Sequence, residues 1–111
     1  MLTKDHHSLE SIIEAAGRII EYTSGFNSAD DFNNDQRNFD ATMMNFVVIG
    51  EMADKISDDY KKEHPKIEWI KIKGFRNIVA HDYFGIDAEE VWQIIKNKIP
   101  ALKSDIQHLI D

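Results

Sequence analysis

Cysteine is absent from this chain of 111 residues, which excludes disulfides and thiolate metal sites and is typical of a reducing compartment. The N-terminus lacks an apolar run of the signal-peptide kind, and no stretch approaches the roughly 20 apolar residues of a membrane span. We therefore expect a cytoplasmic protein with no membrane partner. The length predicts a single domain over 1-111, small enough that contact with a partner subunit would add to its stability.

Glycine and proline are also scarce, with five and two residues. Alternating strand patterns with Asn-Gly or Asp-Gly hairpin turns are missing as well, so the predicted fold class is all-α. Apolar residues at helical spacing indicate four substantial helices. We expect these helices over about 4–22, 36–57, 65–81 and 88–109, with a short helical turn over 28–34 and a polar connection after residue 57.

Several residues punctuate these helices. Ser28 and Asp87 are expected N-caps, and Pro65 fits the first turn of the third helix. We expect a bend in that helix at Gly74, and a kink or a restart of the last helix at Pro100, which removes a backbone N–H.

Basic residues are in deficit overall, because the chain has a net charge of -7. A uniformly acidic surface would repel a polyanion such as RNA. Residues 61–81, however, contain six lysines and arginines against two glutamates, a net charge of +4. The strongly basic stretch therefore leads directly into the candidate catalytic residues between Arg76 and Tyr83.

The second long helix has two apolar faces. A helix of this kind needs two partners. We interpret the second face as the interface of a two-fold homodimer, and the alternative is that the short 28–34 segment covers it. The face expected in the core comprises Phe39, Met43, Phe46, Ile49, Gly50, Ala53 and Ile56, whereas the second comprises Met44, Val48 and Met52.

Two neighbouring residues of this helix, Gly50 and Glu51, carry separate predictions. Glycine in a helix interior costs about 1 kcal/mol, which suggests a close approach to another helix at Gly50. Glu51 lies beside the second apolar face. It is either a carboxylate held partly out of water and in need of a partner, or simply an exposed side chain.

The stretch from Arg76 to Tyr83 concentrates an arginine, an amide, an imidazole and a phenol at the end of the third helix. Its polar residues lie on a different side of that helix from the apolar ones. Asn77 and His81 are four residues apart and can touch. The negative end of the helix dipole favours a protonated His81, as a general acid requires.

Cleavage of RNA without a metal needs removal of the 2'-OH proton, protonation of the 5'-oxygen and stabilisation of charge on the phosphate. Histidine can transfer the protons, and the arginine fork binds phosphate. Asn77 could orient the imidazole or a phosphate oxygen, and Tyr83 could donate a hydrogen bond to the phosphate or stack on a base. A homodimer would bring a second His81 to the same cleft.

Two simpler interpretations stay open from spacing alone. Arg-x4-His occurs by chance on many helices, and a surface histidine is usually just solvated.

His6, His7 and Glu10 could hold a metal ion at the surface, but they lack a confining framework, so we predict no functional metal site and no cofactor.

The segment from Gly74 to Asp87, with its Arg-x4-His-x-Tyr motif, resembles the signature of the HepT-type toxins of the HEPN superfamily. Ile49-Gly50-Glu51 and Val91-Trp92, followed by Pro100-Ala101-Leu102, are similar to that family too. The resemblance covers nearly the whole chain.

This resemblance implies a four- to five-helix HEPN bundle that forms a homodimer, with a metal-independent endoribonuclease site between the subunits. It implies catalytic roles for Arg76 and His81 and a supporting role for Asn77. Tyr83 matches the tyrosine that an MNT-type nucleotidyltransferase antitoxin modifies with AMP, as in a type VII toxin–antitoxin system. We add Glu51 as a supporting residue, and Lys71 and Lys73 as contacts to an RNA such as tRNA or mRNA.

A second hypothesis belongs to a different class. The acidic surface also fits a helical module without catalytic activity, which binds the nucleotidyltransferase and is modified on Tyr83. Replacement of His81 distinguishes the two hypotheses, because only an enzyme would lose its toxicity.

Overall fold

The computed structural model of this chain describes residues 1–80 and 85–111, with the side chains of 79 and 80 excepted. Every regular element in this part of the chain is a helix, which confirms the all-α prediction. The helices are α1 (Thr3–Thr23), α2 (Ala29–Asn34), α3 (Gln36–Lys55), α4 (Asp58–Glu63), α5 (Trp69–Lys73), α6 (Phe75–Ala80), α7 (Ala88–Asn97) and α8 (Ile99–Ile110). Only Gly74 separates α5 from α6, and only Lys98 separates α7 from α8, so the longer helices of the described residues form four helical rods, α1, α3, α5–α6 and α7–α8.

The centre of the bundle is the pair α1 and α3, which pack along each other. Each buries the apolar stripe that its spacing predicts. α8 also packs on α1, and α5 and α6 pack on α3. The buried stripes are Leu9, Ile12, Ala16 and Ile19 on α1, and Phe39, Met43, Phe46, Ile49 and Ala53 on α3.

The short helix α2 forms as its sequence predicts. The Ser28 hydroxyl accepts a hydrogen bond from the Asp31 backbone N–H and thereby caps the helix. The helix buries Phe32, whose ring lies 5.0 Å from that of Phe39 and 6.0 Å from that of Trp92. α2 therefore fastens α3 to α7 through an aromatic cluster.

The connection after α3 corrects one prediction. Residues 58–63 form the helix α4 and not a plain polar connection. Its N-cap, Ser57, accepts from the Tyr60 backbone N–H, and the buried Asp5 accepts from both the backbone N–H and the hydroxyl of Ser57, at 2.8 and 2.6 Å. A carboxylate from α1, distant in sequence, thus holds the start of α4, which spacing along the chain could not reveal.

The third predicted helix begins later than expected. Pro65 and Ile67 precede it in a turn, and α5 starts only at Trp69. The buried Trp69 donates its indole N–H to the His64 carbonyl oxygen at 3.0 Å, which fixes that turn. The expected break at Gly74 is present between α5 and α6.

The last rod follows the predicted pattern. The Asp87 carboxylate accepts from the backbone N–H groups of Glu89 and Glu90 and caps α7. The helix restarts at Ile99, and Pro100 occupies the first turn of α8, where its missing N–H costs nothing. Within the described ranges, no helix combines the length and the apolar character needed to cross a bilayer.

Candidate active site

The site begins with a very close approach of α3 and α6. A Cβ atom at Gly50 would lie 2.8 Å from both the Cβ and the backbone N of Arg76, and 2.9 Å from the Lys73 carbonyl oxygen. Real Cβ atoms essentially never come this close, so only glycine fits here. The close approach predicted for Gly50 is confirmed, and its partner is the helix that carries the motif.

This approach places the Arg76 side chain along α3. Its Nη1 atom donates to Glu51 Oε1 at 3.0 Å and lies 3.4 Å from Asp54 Oδ2. Glu51 therefore has the partner that its position required, although its side chain stays 46% exposed. The Arg76 side chain is 29% exposed and is more buried than either Glu51 or Asp54. The arginine of the motif is consequently held in place and still open to a ligand.

Asp54 connects a second cation to the group. Its Oδ1 atom lies 3.1 Å from Lys73 Nζ, so one carboxylate bridges Lys73 and Arg76. We call Glu51, Asp54, Lys73 and Arg76 the charge network. The charge network contains two carboxylates and two cations, so Glu51 and Asp54 locally offset the positive charges of Lys73 and Arg76.

The charge network keeps Asp54 ionised. A hydrogen bond from Lys73 lowers the pKa of Asp54 below its usual value, against an opposing effect of partial burial. The nearby positive charges of Lys73, Arg76 and Lys61 lower that pKa further. Asp54 is thus a permanent negative charge beside Arg76 at neutral pH.

The apolar side of α6 fixes the helix against the core. The Phe75 ring meets the buried Phe46 ring edge to face, with centroids 5.5 Å apart. Asn77 lies on the exposed side, and its backbone N–H donates to the Gly74 carbonyl oxygen at 3.0 Å. Arg76 and Asn77 therefore sit away from the core, as their positions on the helix predict.

The remaining predicted site residues differ in what the structure says of them. Lys71 lies in α5, pairs with Glu68 at 2.6 Å and remains 75% exposed. This hydrogen bond lowers the pKa of Glu68. His81 and Tyr83 lie outside the described residues. In the sequence, His81 directly follows Ala80, the residue at which the described α6 ends.

Asp54 is the member of the charge network that sequence reasoning missed. It stands three residues after Glu51, so the two side chains share one side of α3. That spacing, next to a helix-interior glycine, was the available signal. His6 and Glu10 form a 2.9 Å pair at the surface, and the described residues contain no group of three or more potential ligands that could hold a metal ion.

The second apolar face of α3 is only partly covered within the chain. Val48 and Met52 are half-buried against the core, whereas Met44 is 62% exposed. The short helix α2 therefore does not cover this face completely. The exposed Met44 lies two helical turns from Glu51 on the same side of α3.

An all-helical bundle that holds the arginine of an Arg-x4-His-x-Tyr motif at the end of its third rod belongs to the HEPN class. The family described as Ribonuclease HepT-like matches residues 12–109, nearly the whole chain. This chain is a member of the Ribonuclease HepT-like family.

Relatives of known name agree with this membership. A Thermococcus cleftensis protein named Probable ribonuclease HepT is 35% identical over 101 residues, which is 91% of each chain. A Methanocaldococcus jannaschii protein named Putative RNase MJ1380 is 32% identical over 99 residues, 89% of this chain and 90% of the relative. No solved structure matches this chain significantly.

Proposed function

We propose that this chain is a metal-independent endoribonuclease that cleaves RNA with Arg76 and His81. The observation that carries the proposal is the Arg76 guanidinium, which Glu51 holds at 3.0 Å while it remains 29% exposed. An arginine that is fixed but open to solvent is suited to bind a phosphate in two places. The family membership and the names of the relatives support RNA as the phosphate-bearing substrate.

The reaction we propose is an internal transfer at phosphorus. The 2'-oxygen attacks the phosphorus as a second imidazole, His81 of the other copy in the homodimer proposed below, takes its proton, and the bond from phosphorus to the 5'-oxygen breaks. His81 donates a proton to that leaving oxygen, so the products are a 2',3'-cyclic phosphate and a 5'-hydroxyl. Arg76 offsets the charge that develops on the phosphate oxygens, and Asn77 supports His81 or a phosphate oxygen.

We further propose that the active protein is a homodimer with the cleft between its two copies. An exposed methionine, Met44, lies on the same side of α3 as Glu51, so a partner copy that covered Met44 would stand beside the charge network. A second copy would supply a second His81, and the two imidazoles could divide the removal and the donation of the proton between them.

In this proposal the chain is the toxin of a toxin–antitoxin pair, and Tyr83 is the point of control. A nucleotidyltransferase antitoxin would transfer AMP from ATP to the phenol oxygen of Tyr83, two residues after His81, with pyrophosphate as the leaving group. The added adenylate would bring negative charge and bulk next to the cleft and would repel an RNA phosphate. Lys71 and Lys73 are the proposed RNA contacts on the approach to Arg76.

The test uses purified protein whose Tyr83 is shown by mass spectrometry to be free of AMP. We expect it to cleave cellular RNA in the presence of EDTA and to leave 2',3'-cyclic phosphate ends. The variants His81→Ala and Arg76→Ala should lose most of this activity. The exposed His108 and Arg18 offer matched controls, and His108→Ala and Arg18→Ala should cleave as the wild type does. Failure of the unmodified wild type to cleave any cellular RNA would contradict the proposal.

The control by AMP is tested with the tyrosines. Tyr83→Phe should still cleave RNA but should resist silencing by the nucleotidyltransferase. Tyr60 is an internal control that should receive no AMP, because its side chain is buried and its hydroxyl has no access to solvent. Transfer of AMP to Tyr22 in place of Tyr83 would contradict this part of the proposal.

A second candidate function is a non-catalytic module that binds the nucleotidyltransferase and serves as its substrate. The offset of Arg76 by two carboxylates favours it, because such an arginine attracts phosphate less strongly. Under this alternative, His81→Ala would leave every measurable property unchanged.

A further inference from the structure

Lys73 and Arg76 share one carboxylate, and this arrangement has a consequence for RNA binding. Asp54 Oδ1 lies 3.1 Å from Lys73 Nζ, and Asp54 Oδ2 lies 3.4 Å from Arg76 Nη1. These are two of the three cations assigned to the RNA phosphates, so Asp54 places a negative charge beside both of them.

Glu51 and Asp54 contact Arg76 in different ways. Both reach the same nitrogen, Nη1, but Glu51 is the closer partner at 3.0 Å. Among the described residues, neither carboxylate engages Nη2 or Nε, which form the edge that a phosphate would approach. Glu51 is therefore the closer partner of the guanidinium, and Asp54 makes a longer contact that it shares with Lys73.

We propose that Asp54 is a positioning residue that lowers the affinity of this site for RNA phosphate. It ties the flexible Lys73 ammonium to the Arg76 side chain and offsets the charge of both cations. A phosphate then binds with help from other contacts of the cleft and not from these two cations alone. The inference rests on the proposed ribonuclease function, because it concerns the binding of that substrate.

The effect of Asp54 extends over the distances that matter here. A carboxylate a few ångströms from both cations repels an incoming phosphate through the same screened Coulomb interaction by which it attracts the cations. Lys73 Nζ must also leave Asp54 before it can contact RNA. Both effects weaken binding of the substrate, while Arg76 remains in place for the reaction.

The first measurement is the binding of a single-stranded RNA with 2'-O-methyl groups, which the proposed reaction cannot cleave. Asp54→Asn keeps the shape of the side chain and removes its charge. We expect its affinity for this RNA to rise about three- to tenfold. The logarithm of affinity should also fall more steeply with the logarithm of salt, by about 0.7 for each cation that is freed.

The second measurement is cleavage of the unmodified RNA. For Asp54→Asn we expect KM to fall by the same factor as the affinity for RNA rises, while kcat stays within about twofold. The reason is that removal of the Asp54 charge affects binding and not the reacting groups. Asp54→Glu restores the charge and should return KM and the salt dependence to wild-type values. A purely structural role of Asp54 would change neither the salt dependence nor KM in this direction.

The control separates the local effect from net charge. Glu14 is exposed on α1, at a surface that α1 forms with α8, and Glu14→Gln makes the same change in net charge. Glu14→Gln should bind and cleave as the wild type does. An equal gain of affinity in Glu14→Gln would overturn the inference, because it would assign the effect to the net charge of the protein.

The remaining outcomes distinguish this inference from the proposed function. If the wild type cleaves RNA but Asp54→Asn has an unchanged KM and salt dependence, the inference is wrong and the proposed function stands. If the wild type binds RNA without cleaving it and Asp54→Asn binds more tightly, the inference stands and the proposed function fails. If neither protein binds RNA, both are wrong.

Discussion

Gly50 lies so close to Arg76 that the two helices touch through backbone at this point. A Cβ at Gly50 would stand 2.8 Å from the Arg76 backbone N and 2.9 Å from the Lys73 carbonyl oxygen. This contact determines where the guanidinium of Arg76 meets Glu51. A residue without a side chain thereby positions the most chemically important cation of the described site.

Replacement of Gly50 by alanine tests this relationship. The added Cβ would push α6 away from α3, because the obstructing atoms are mainly backbone and cannot rotate aside. We expect Gly50→Ala to lower the free energy of unfolding by about 1–3 kcal/mol, as overpacking in a core does. RNA cleavage should fall as well, because Arg76 moves with the helix. Urea unfolding and initial cleavage rates measure the two effects.

Gly17 offers the matched control within another long helix. A Cβ there would meet the side chain of Lys103, with Cε at 3.7 Å and Nζ at 4.0 Å, which is ordinary contact. Gly17→Ala should therefore raise the free energy of unfolding by up to about 1 kcal/mol through helix propensity. A stabilising effect of Gly50→Ala of the same size would show that the close approach has no energetic importance.

Replacement of Glu51 should change kcat more than KM, which is the opposite of the effect expected for replacement of Asp54. It is the closer partner of Arg76, so Glu51→Gln weakens the contact that holds the guanidinium in its orientation. We expect kcat to fall about tenfold with a smaller change in KM, because the lost interaction supports the transition state. Single-turnover cleavage at saturating RNA measures this. Glu14→Gln is the control, and a kcat within about twofold of the wild type for Glu51→Gln would contradict the role.

Much of the fold follows from local patterns along the chain. The apolar stripes of α1 and α3, the caps at Ser28 and Asp87, and the restart before Pro100 all depend on neighbours within one or two helical turns. Such neighbours are visible in a sequence because helical periodicity fixes which residues share a side. The close approach at Gly50 was predictable for a different reason, because glycine is costly in a helix interior unless close packing requires it.

What could not be predicted depends on contacts between distant residues. The helix α4 forms where Asp5, from the start of the chain, holds its N-cap Ser57. Pro65 suggested a helix start, but the turn that Trp69 closes on His64 delays it. Asp54 was missed because its role arises only when α5 and α6 bring two cations to it.

The lowered pKa of Asp54 predicts how acid acts on the charge network. A carboxyl group with a depressed pKa stabilises the folded protein at pH values above its ordinary pKa of 3.8. That stabilisation disappears as the pH falls through the lower pKa of folded Asp54. Wild type and Asp54→Asn should therefore differ in urea unfolding at about pH 7 and converge in strong acid. A difference that persists unchanged in strong acid would contradict the importance of this ionisation.

Replacement of the exposed Met44 side chain is the sharpest test of the proposed homodimer. Because Met44 is 62% exposed within one chain, Met44→Lys should leave the fold of the single chain intact, whereas a lysine buried in an apolar interface would cost several kcal/mol of dimer stability. We expect Met44→Lys to sediment as a monomer and to lose RNA cleavage. Ile70 on α5 is the matched control, since it is 88% exposed and Ile70→Lys should remain a dimer. A stable dimer of Met44→Lys together with a monomeric Ile70→Lys would instead place the interface on α5.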